Sequence, residues 1–401
     1  MHRETIEFRN DADIALNGIL HHAVGDTRAL AVFAHCFTCT ARSKAAVTIC
    51  RQLARLGIAT LRFDFTGLGE SEGEFAQSNF STSVADIQSA VAELERRFDT
   101  PVELLIGHSL GGTAVLTAAG RLPQVRAVAT LGAPARPEHI SKLIHRSTVA
   151  TSDDVLEVDL GGRPFTIGRQ LFDDLAAHSQ PERFAELRAA ILVMHAPLDG
   201  IVEIANASEI FLHAKHPKSF VSLDDADHLL SREADAEYAA RVISTWSRRY
   251  LIAAESSAPA EDEREGPDAT AVTRGGSFLT AIDVGGHALI ADEPASVGGE
   301  NLGPAPTKLL SAALAACTCM TLQMYARHKG LPLERVSAEI RHSKQTRETG
   351  DGKETISTFD RVVELSGELD AAQRTRLIEI AERCPVHRAL TGKVHINTRE
   401  A

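Results

Sequence analysis

The sequence is short of several things, and each shortage excludes a class of function. Basic residues are outnumbered, 42 Lys and Arg against 54 Asp and Glu, for a formal net charge of −12. A chain with a pI near 5.8 offers no general phosphate-binding surface, so no nucleic-acid partner is expected. The opening Met-His-Arg-Glu-Thr-Ile-Glu-Phe has no apolar h-region, so no secretory signal is read there and a cytoplasmic location is expected. No uninterrupted run of membrane length occurs. The longest apolar stretch, 309–324, is broken by Ser311, Thr318, Thr321 and Gln323. It is read as a buried helix, and no membrane partner is expected. Cysteine is scarce, with six in the whole chain, and without an export signal these are expected to be reduced thiols rather than a disulfide framework. Cys36 and Cys39 form a C-x-x-C. No second pair stands at metal-ligand spacing, so neither a metal nor a cofactor is expected, and a redox pair is the other reading of that motif.

What is present points to two domains. The chain has 401 residues, 44% of them apolar, which exceeds one ordinary core. Through residue 250, strand-like runs alternate with helical ones: strands at 29–34, 58–63, 102–106, 127–131, 190–195 and 219–223, helices at 43–56, 82–97, 109–120, 201–213 and 233–250. Two short strands are expected within 4–20. Such alternation predicts a mostly parallel sheet with helices on both faces. Residues 134–188 exceed a usual crossover and are expected to form a small cap. Residues 253–271 are rich in Ala, Ser, Pro, Glu and Asp and read as a linker. The domains are therefore expected at 1–252 and 272–401 and to be catalytically independent. The second should open with strands at 277–283 and 287–291 around Gly285-Gly286. A long helix ending at Gly330 follows, then strands at 336–342 and 361–366, a helix at 370–383 and a last strand at 393–398. That is an α+β pattern.

The chemistry in the first half centres on Gly107-His-Ser109-Leu-Gly111, between a strand run and a helix run. Two glycines allow a turn tight enough to lift Ser109 Oγ above the end of the sheet, beside a helix N-terminus. An acid and then a histidine should follow in chain order. Asp199, past the strand 190–195, and His228, past the strand 219–223, fill those places at strand ends. Asp173, Asp174 and Asp227 are weaker competitors for the acid. The expected oxyanion donors are the N–H groups of Leu110 and of Phe37, after the strand 29–34. Asp64 is read as a structural residue that bonds the backbone of its own loop. These features resemble the α/β-hydrolase family of serine esterases, although Cys36 stands where that family commonly has glycine. The resemblance implies a carboxylesterase-like acyl hydrolase acting on a small-molecule ester through an acyl-enzyme.

In the second half Cys317 lies within the long apolar helix run. Cys384 precedes Pro385, which suits the first turn of a helix and puts the thiol at its N-cap. Arg383, His387 and Arg388 surround it and favour thiolate. Read from the residues alone, Cys317 is as consistent with an inert core cysteine, and Cys319 is read as packing. Residues 272–399 resemble the OsmC family of osmotically inducible and organic-hydroperoxide-resistance proteins. The matching pieces are Ala-Asp-Glu-Pro at 291–294, Gly-Pro-Ala-Pro followed by Leu-Leu-Ser-Ala-Ala-Leu-Ala-Ala-Cys317, Tyr-Ala-Arg-His-Lys-Gly-Leu-Pro-Leu-Glu at 325–334, and Cys384-Pro385-Val386. The resemblance implies a peroxidatic Cys317, a resolving Cys384, an organic hydroperoxide and a dithiol reductant as partners, and an intertwined homodimer. Thr307 and Ser277 stand where the family's peroxidases carry glutamate and arginine, so slow turnover is expected. The leading expectation is a serine hydrolase dimerised by this domain. The alternatives are a peroxide reductase with an accessory hydrolase, and a hydrolase on an inert scaffold.

Overall fold

The computed structural model describes residues 2–151, 155–159, 164–251, 267–349 and 352–400. The chain divides into two compact units, Met1–Ala288 and Leu289–Ala401.

In chain order the first unit has β1 (Arg3–Arg9), β2 (Ala15–His21), β3 (Ala29–Ala34), α1 (Lys44–Arg55), β4 (Ile58–Phe63), α2 (Phe80–Phe98), β5 (Val102–His108), α3 (Leu110–Ala119) and β6 (Ala127–Leu131). Then come α4 (His139–Ser147), β7 (Thr148–Thr151), β8 (Val155–Asp159), β9 (Pro164–Gly168), α5 (Gln170–Ala177), β10 (Ala190–His195), α6 (Ala205–His213), β11 (Lys218–Ser222) and α7 (Glu233–Ser247). Eight strands form one sheet in the order β1-β2-β4-β3-β5-β6-β10-β11. β1 and β2 are antiparallel, and every pairing from β4 to β11 is parallel.

This is an α/β-hydrolase fold, and its apolar runs explain it. β3, β4, β5, β6 and β10 are buried along their whole length, because helices cover both faces of a parallel sheet. One face packs on α1 and α7 through Ile49, Leu53, Ala239 and Ile243. The other packs on α2 and α3 through Ile87, Leu94, Val115 and Ala118. The segment expected as a cap contains α4, the small sheet β7-β8-β9 and α5. α6 starts at Ala205 rather than at 201, because the N–H groups of Ile201 and Val202 turn back onto the Asp199 carboxylate.

Most of the expected linker, 253–266, lies outside the described residues. Its last residues enter β12 (Ala269–Thr273), which pairs with β13 (Thr280–Val284) beside β14 (His287–Ala291). The boundary between the units falls within β14.

The second unit contains α8 (Pro306–Lys329), β15 (Arg335–Thr349), β16 (Gly352–Ser366), α9 (Ala371–Ala381) and α10 (Pro385–Thr391). β15 and β16 form a hairpin much longer than the two strands expected, because their polar outer parts pair with each other as far as Thr349 and Gly352. Leu322 and Ala326 of α8 join Leu369, Leu377 and Ile380 in a small core.

Two expectations change here. The residues 393–398 form no strand, although Val394 and Ile396 alternate with polar neighbours; no described strand pairs with them. And α8 is longer than its apolar run and only partly covered. Its buried residues Ser311, Leu314, Thr318, Leu322 and Ala326 make one stripe, while Met320 and Met324 are exposed. By length and composition alone α8 could cross a membrane, but that stripe is packed against protein.

Candidate active site

β5 runs straight into the turn that carries Ser109, and α3 begins at the next residue. Ser109 has φ 55° and ψ −127°, a conformation costing a non-glycine residue about 1–3 kcal/mol. The turn is held by the Ser109 N–H on Leu131 O at 2.8 Å and by the Gly112 N–H on Ser109 O at 2.8 Å. At Gly111 a Cβ would lie 2.4 Å from His35 O and 2.6 Å from Ala34 O. Only glycine lets the end of β3 press this closely on the elbow.

Asp199 and His228 reach Ser109 from two other strand ends, those of β10 and β11. His228 Nε2 lies 3.0 Å from Ser109 Oγ, and His228 Nδ1 lies 2.6 Å from Asp199 Oδ2. A carboxylate only accepts, so the proton between them sits on Nδ1 and leaves Nε2 free to accept from the serine hydroxyl. The other Asp199 oxygen accepts from the Ile201 and Val202 N–H groups at 2.8 and 2.9 Å. Burial by itself raises the Asp199 pKa. The hydrogen bond and charge of His228 and the two N–H donors outweigh it, and the net shift is downward. The competing acids are engaged elsewhere: Asp174 binds Ser81, and Asp227 caps Ser231. Asp173 lies on α5.

Phe37 and Leu110 both border an apolar cleft beside the elbow. Phe65, Phe75 and Phe80 line it, together with Ile167 and Leu171 from the segment 134–188. Among the described residues no protein acceptor takes the Phe37 or the Leu110 N–H. Asp64 bonds its surroundings as expected, accepting from Ala41 N at 2.6 Å and Glu70 N at 3.1 Å. A turn with the Cys39 N–H on Cys36 O at 3.1 Å brings the Cα atoms of Cys36 and Cys39 to 5.2 Å.

In the second unit Cys317, Cys319 and Cys384 are free. Cys384 is the buried N-cap of α10, and its Sγ accepts the His387 N–H at 3.3 Å. Cys317 is half-buried on α8, against which α10 packs. The Arg361 guanidinium joins Thr318 Oγ1 at 3.1 Å to Ala381 O at 2.9 Å, tying together α8 and the end of α9.

Comparisons with known proteins match each half of the chain separately. A family profile described as "Serine aminopeptidase, S33" matches residues 25–155, and one described as "OsmC-like protein" matches 298–399. The chain is similar to the crystal structure of the esterase domain of a Rhodothermus marinus protein. It is 44% identical to that domain, with a TM-score of 0.53, over 63% of this chain and all of that one. The chain is an α/β-hydrolase fused to an OsmC-like domain. The hydrolase is also 30% identical, over 131 residues, to the human mitochondrial palmitoyl-protein thioesterase ABHD10, matching 33% of this chain and 36% of that protein. It is 26% identical to the uncharacterized protein YfhR of Salmonella typhi over 42% of this chain and 53% of that one. The chain thus spans about half the length of the YfhR relative and about a third of the thioesterase.

Three residues of the hydrolase site escaped sequence reasoning. His108, inside the elbow motif, is buried and places Nε2 2.7 Å from the main-chain oxygen of His228. His195, at the end of β10, is buried with Nε2 2.7 Å from Val202 O and 3.6 Å from Asp199 Oδ2. Gly132, after β6, has φ 54°, and a Cβ there would lie 3.3 Å from both Asp199 Oδ2 and His228 Nδ1. Burial lowers the pKa of both histidines, that of His108 to about 4, so each is a neutral donor near pH 7. The motif spells out His108, but nothing in it says which main-chain oxygen that ring meets.

Proposed function

We propose that the hydrolase is a serine acyl hydrolase, a carboxylesterase-like enzyme working through Ser109, His228 and Asp199. The observation that carries this is the unbroken chain from Asp199 Oδ2 through both His228 nitrogens to Ser109 Oγ. Ser109 Oγ attacks the carbonyl carbon of an ester while its proton passes to His228 Nε2. Asp199 stabilises the imidazolium. The N–H groups of Phe37 and Leu110 receive the oxyanion. Collapse expels the alcohol, which takes the proton from His228. Water, activated by the same imidazole, then releases the acid. The apolar cleft beside Phe37 and Leu110 supports an apolar acyl group, and a thioester of such an acid would follow the same path. A fluorophosphonate probe should label Ser109 in the full-length protein. Ser109→Ala should lose both labelling and hydrolysis of p-nitrophenyl acetate. Full activity in that variant excludes the serine mechanism.

The same proposal gives the OsmC-like domain two roles. The open face of α8 supports a homodimer. The free thiols Cys317 and Cys384, on packed helices, support slow reduction of an organic hydroperoxide. Cys317 would take the distal oxygen as a sulfenic acid and release the alcohol. Cys384 would condense with it to a disulfide and water, and an external dithiol would restore both thiols.

A further inference from the structure

Two cavities lie outside the carboxyl ends of the sheet, to either side of β5, and they differ in size and in chemistry. The sheet order β4-β3-β5-β6-β10 puts two strands on each side of β5, whose end carries Ser109. With neighbouring strands about 4.8 Å apart, β4 and β10 each stand about 10 Å from that end. The apolar cleft runs toward β4. Leu110 and Gly111 line it after β5, Phe37 after β3, and Phe65 and Thr66 after β4. Its free space is about 30 Å³, room for about two water molecules. The second cavity lies toward β10. Gly200 and Ile201, next to Asp199, form one wall, and Arg136 and His139, after β6, form another. Ala176 of α5 and Asn206 of α6 also line it. It measures about 650 Å³, within the range of small-molecule sites.

We propose that the substrates are esters joining a short acyl group to a bulky polyhydroxy alcohol, with the acyl group in the cleft toward β4 and the alcohol in the cavity toward β10. This rests on the serine-hydrolase reading of Ser109, and proton transfer decides which side is which. The departing oxygen takes its proton from His228 Nε2. The alcohol therefore leaves on the side from which His228 and Asp199 come, that of β10 and its neighbour β11. The acyl chain is left with the opposite side, where the cleft is narrow. Its walls include Phe65, Phe75 and Phe80, and a packed wall resists extra methylenes. The wide cavity offers acceptors. Glu138 and Glu203 line it, and carboxylates accept hydrogen bonds from hydroxyl groups. Arg136 is already held by Glu209, at 3.0 and 2.8 Å. An anionic alcohol would meet like charge there, so a neutral polyol fits. The reaction stays a hydrolysis. The acyl C–O bond breaks, the alcohol departs with the proton from His228, and water supplies the second oxygen of the acid.

The test gives four esters to the full chain and reads acid release by titration at constant pH. They are ethyl acetate, ethyl hexanoate, and glucose acetylated or hexanoylated on its primary hydroxyl. kcat/KM should be at least about tenfold higher for the glucose acetate than for ethyl acetate, and at least about tenfold higher for each acetate than for its hexanoate. Two variants locate these preferences. Ala176 is exposed on α5, and Ala176→Trp puts an indole into the wide cavity. The glucose-to-ethyl ratio should fall toward one. Phe75 is half-buried, and Phe75→Ala widens the cleft, so the acetate-to-hexanoate ratio should fall toward one. Each ratio is taken within one protein, so a loss of folded enzyme cancels. A preference for the ethyl esters or for the hexanoates overturns the proposal, as does a glucose preference that Ala176→Trp leaves intact. A protein that a fluorophosphonate labels at Ser109 but that hydrolyses none of the four also overturns it. A protein that hydrolyses none of them and takes no label at Ser109 overturns the serine-hydrolase reading instead.

Discussion

The ring of His108 donates from Nε2 to the main-chain oxygen of His228, at 2.7 Å. The residue before Ser109 thus holds the loop that carries His228, so the elbow and His228 are positioned by one contact. Burial, with the nearby His228 charge, depresses the His108 pKa to about 4 and keeps this donor neutral. His108→Phe should lower kcat about 100-fold, the scale of a misplacement near 1 Å, with a smaller change in KM. His108→Gln, which can still donate, should recover part of the loss. Steady-state kinetics beside a melting curve separates this positioning effect from general destabilisation. Equal kcat in all three proteins would remove His108 from the site.

Gly132 should tolerate no side chain. Its φ of 54° and the 3.3 Å approach to both Asp199 Oδ2 and His228 Nδ1 mean that Gly132→Ala strains the backbone and crowds Asp199 and His228. A stability loss of about 1 kcal/mol is expected from the backbone. A larger effect should appear in kcat, through a lengthened Asp199–His228 contact. The NMR signal of the shared Nδ1 proton should shift upfield. Retention of both the signal and the rate would count against this account.

Acid should weaken the fold from about pH 6.5 downward. Unfolded, His21 and His108 take up protons near 6.5. Folded, they resist until about 3 and about 4, chiefly through burial, with Arg62 beside His21 and His228 beside His108. The unfolded chain therefore binds more protons in this window, and stability falls as protons are added. Their contribution is fully present above pH 6.5 and is lost as pH falls to about 4 for His108 and about 3 for His21. Buried Asp86, whose pKa is raised by its loss of solvent, works in the opposite sense. Denaturation midpoints at pH 7.5, 6 and 5 should decline in that order, and a flat series would contradict this balance.

Substoichiometric organic hydroperoxide should link Cys317 to Cys384, seen as a joined peptide under non-reducing conditions. Turnover with a dithiol should be slow, given Thr307 and Ser277. If Cys317 and Cys384 stay free while Cys319 is oxidised, the domain is a scaffold.

The full-length protein should sediment as a dimer. Met320 and Met324 lie on the open face of α8, and a glutamate at both positions would put charge into a buried interface. Met320→Glu/Met324→Glu should sediment as a monomer and keep its esterase rate. A dimer that survives this change must use another surface.

Much of this protein is legible in the residue order. Alternating buried runs dictate the parallel sheet, because β3, β5 and β10 can hide such continuous apolar sequence only between two layers of helix. The Gly-His-Ser-Leu-Gly turn, and the order of Ser109, Asp199 and His228 at strand ends, follow from local spacing. So does the N-cap at Cys384, where Pro385 starts a helix. Other features depend on what the chain meets after it folds. The alternation at 393–398 reads as a strand, but a strand needs a partner, and no described strand pairs with it. The stretch 309–324 reads as wholly buried, but a helix is buried only as far as neighbours cover it, and here they cover one stripe. The ring of His108 and the bare backbone of Gly132 matter because residues from other strand ends arrive beside them, and those arrivals are long-range contacts that no local spacing encodes.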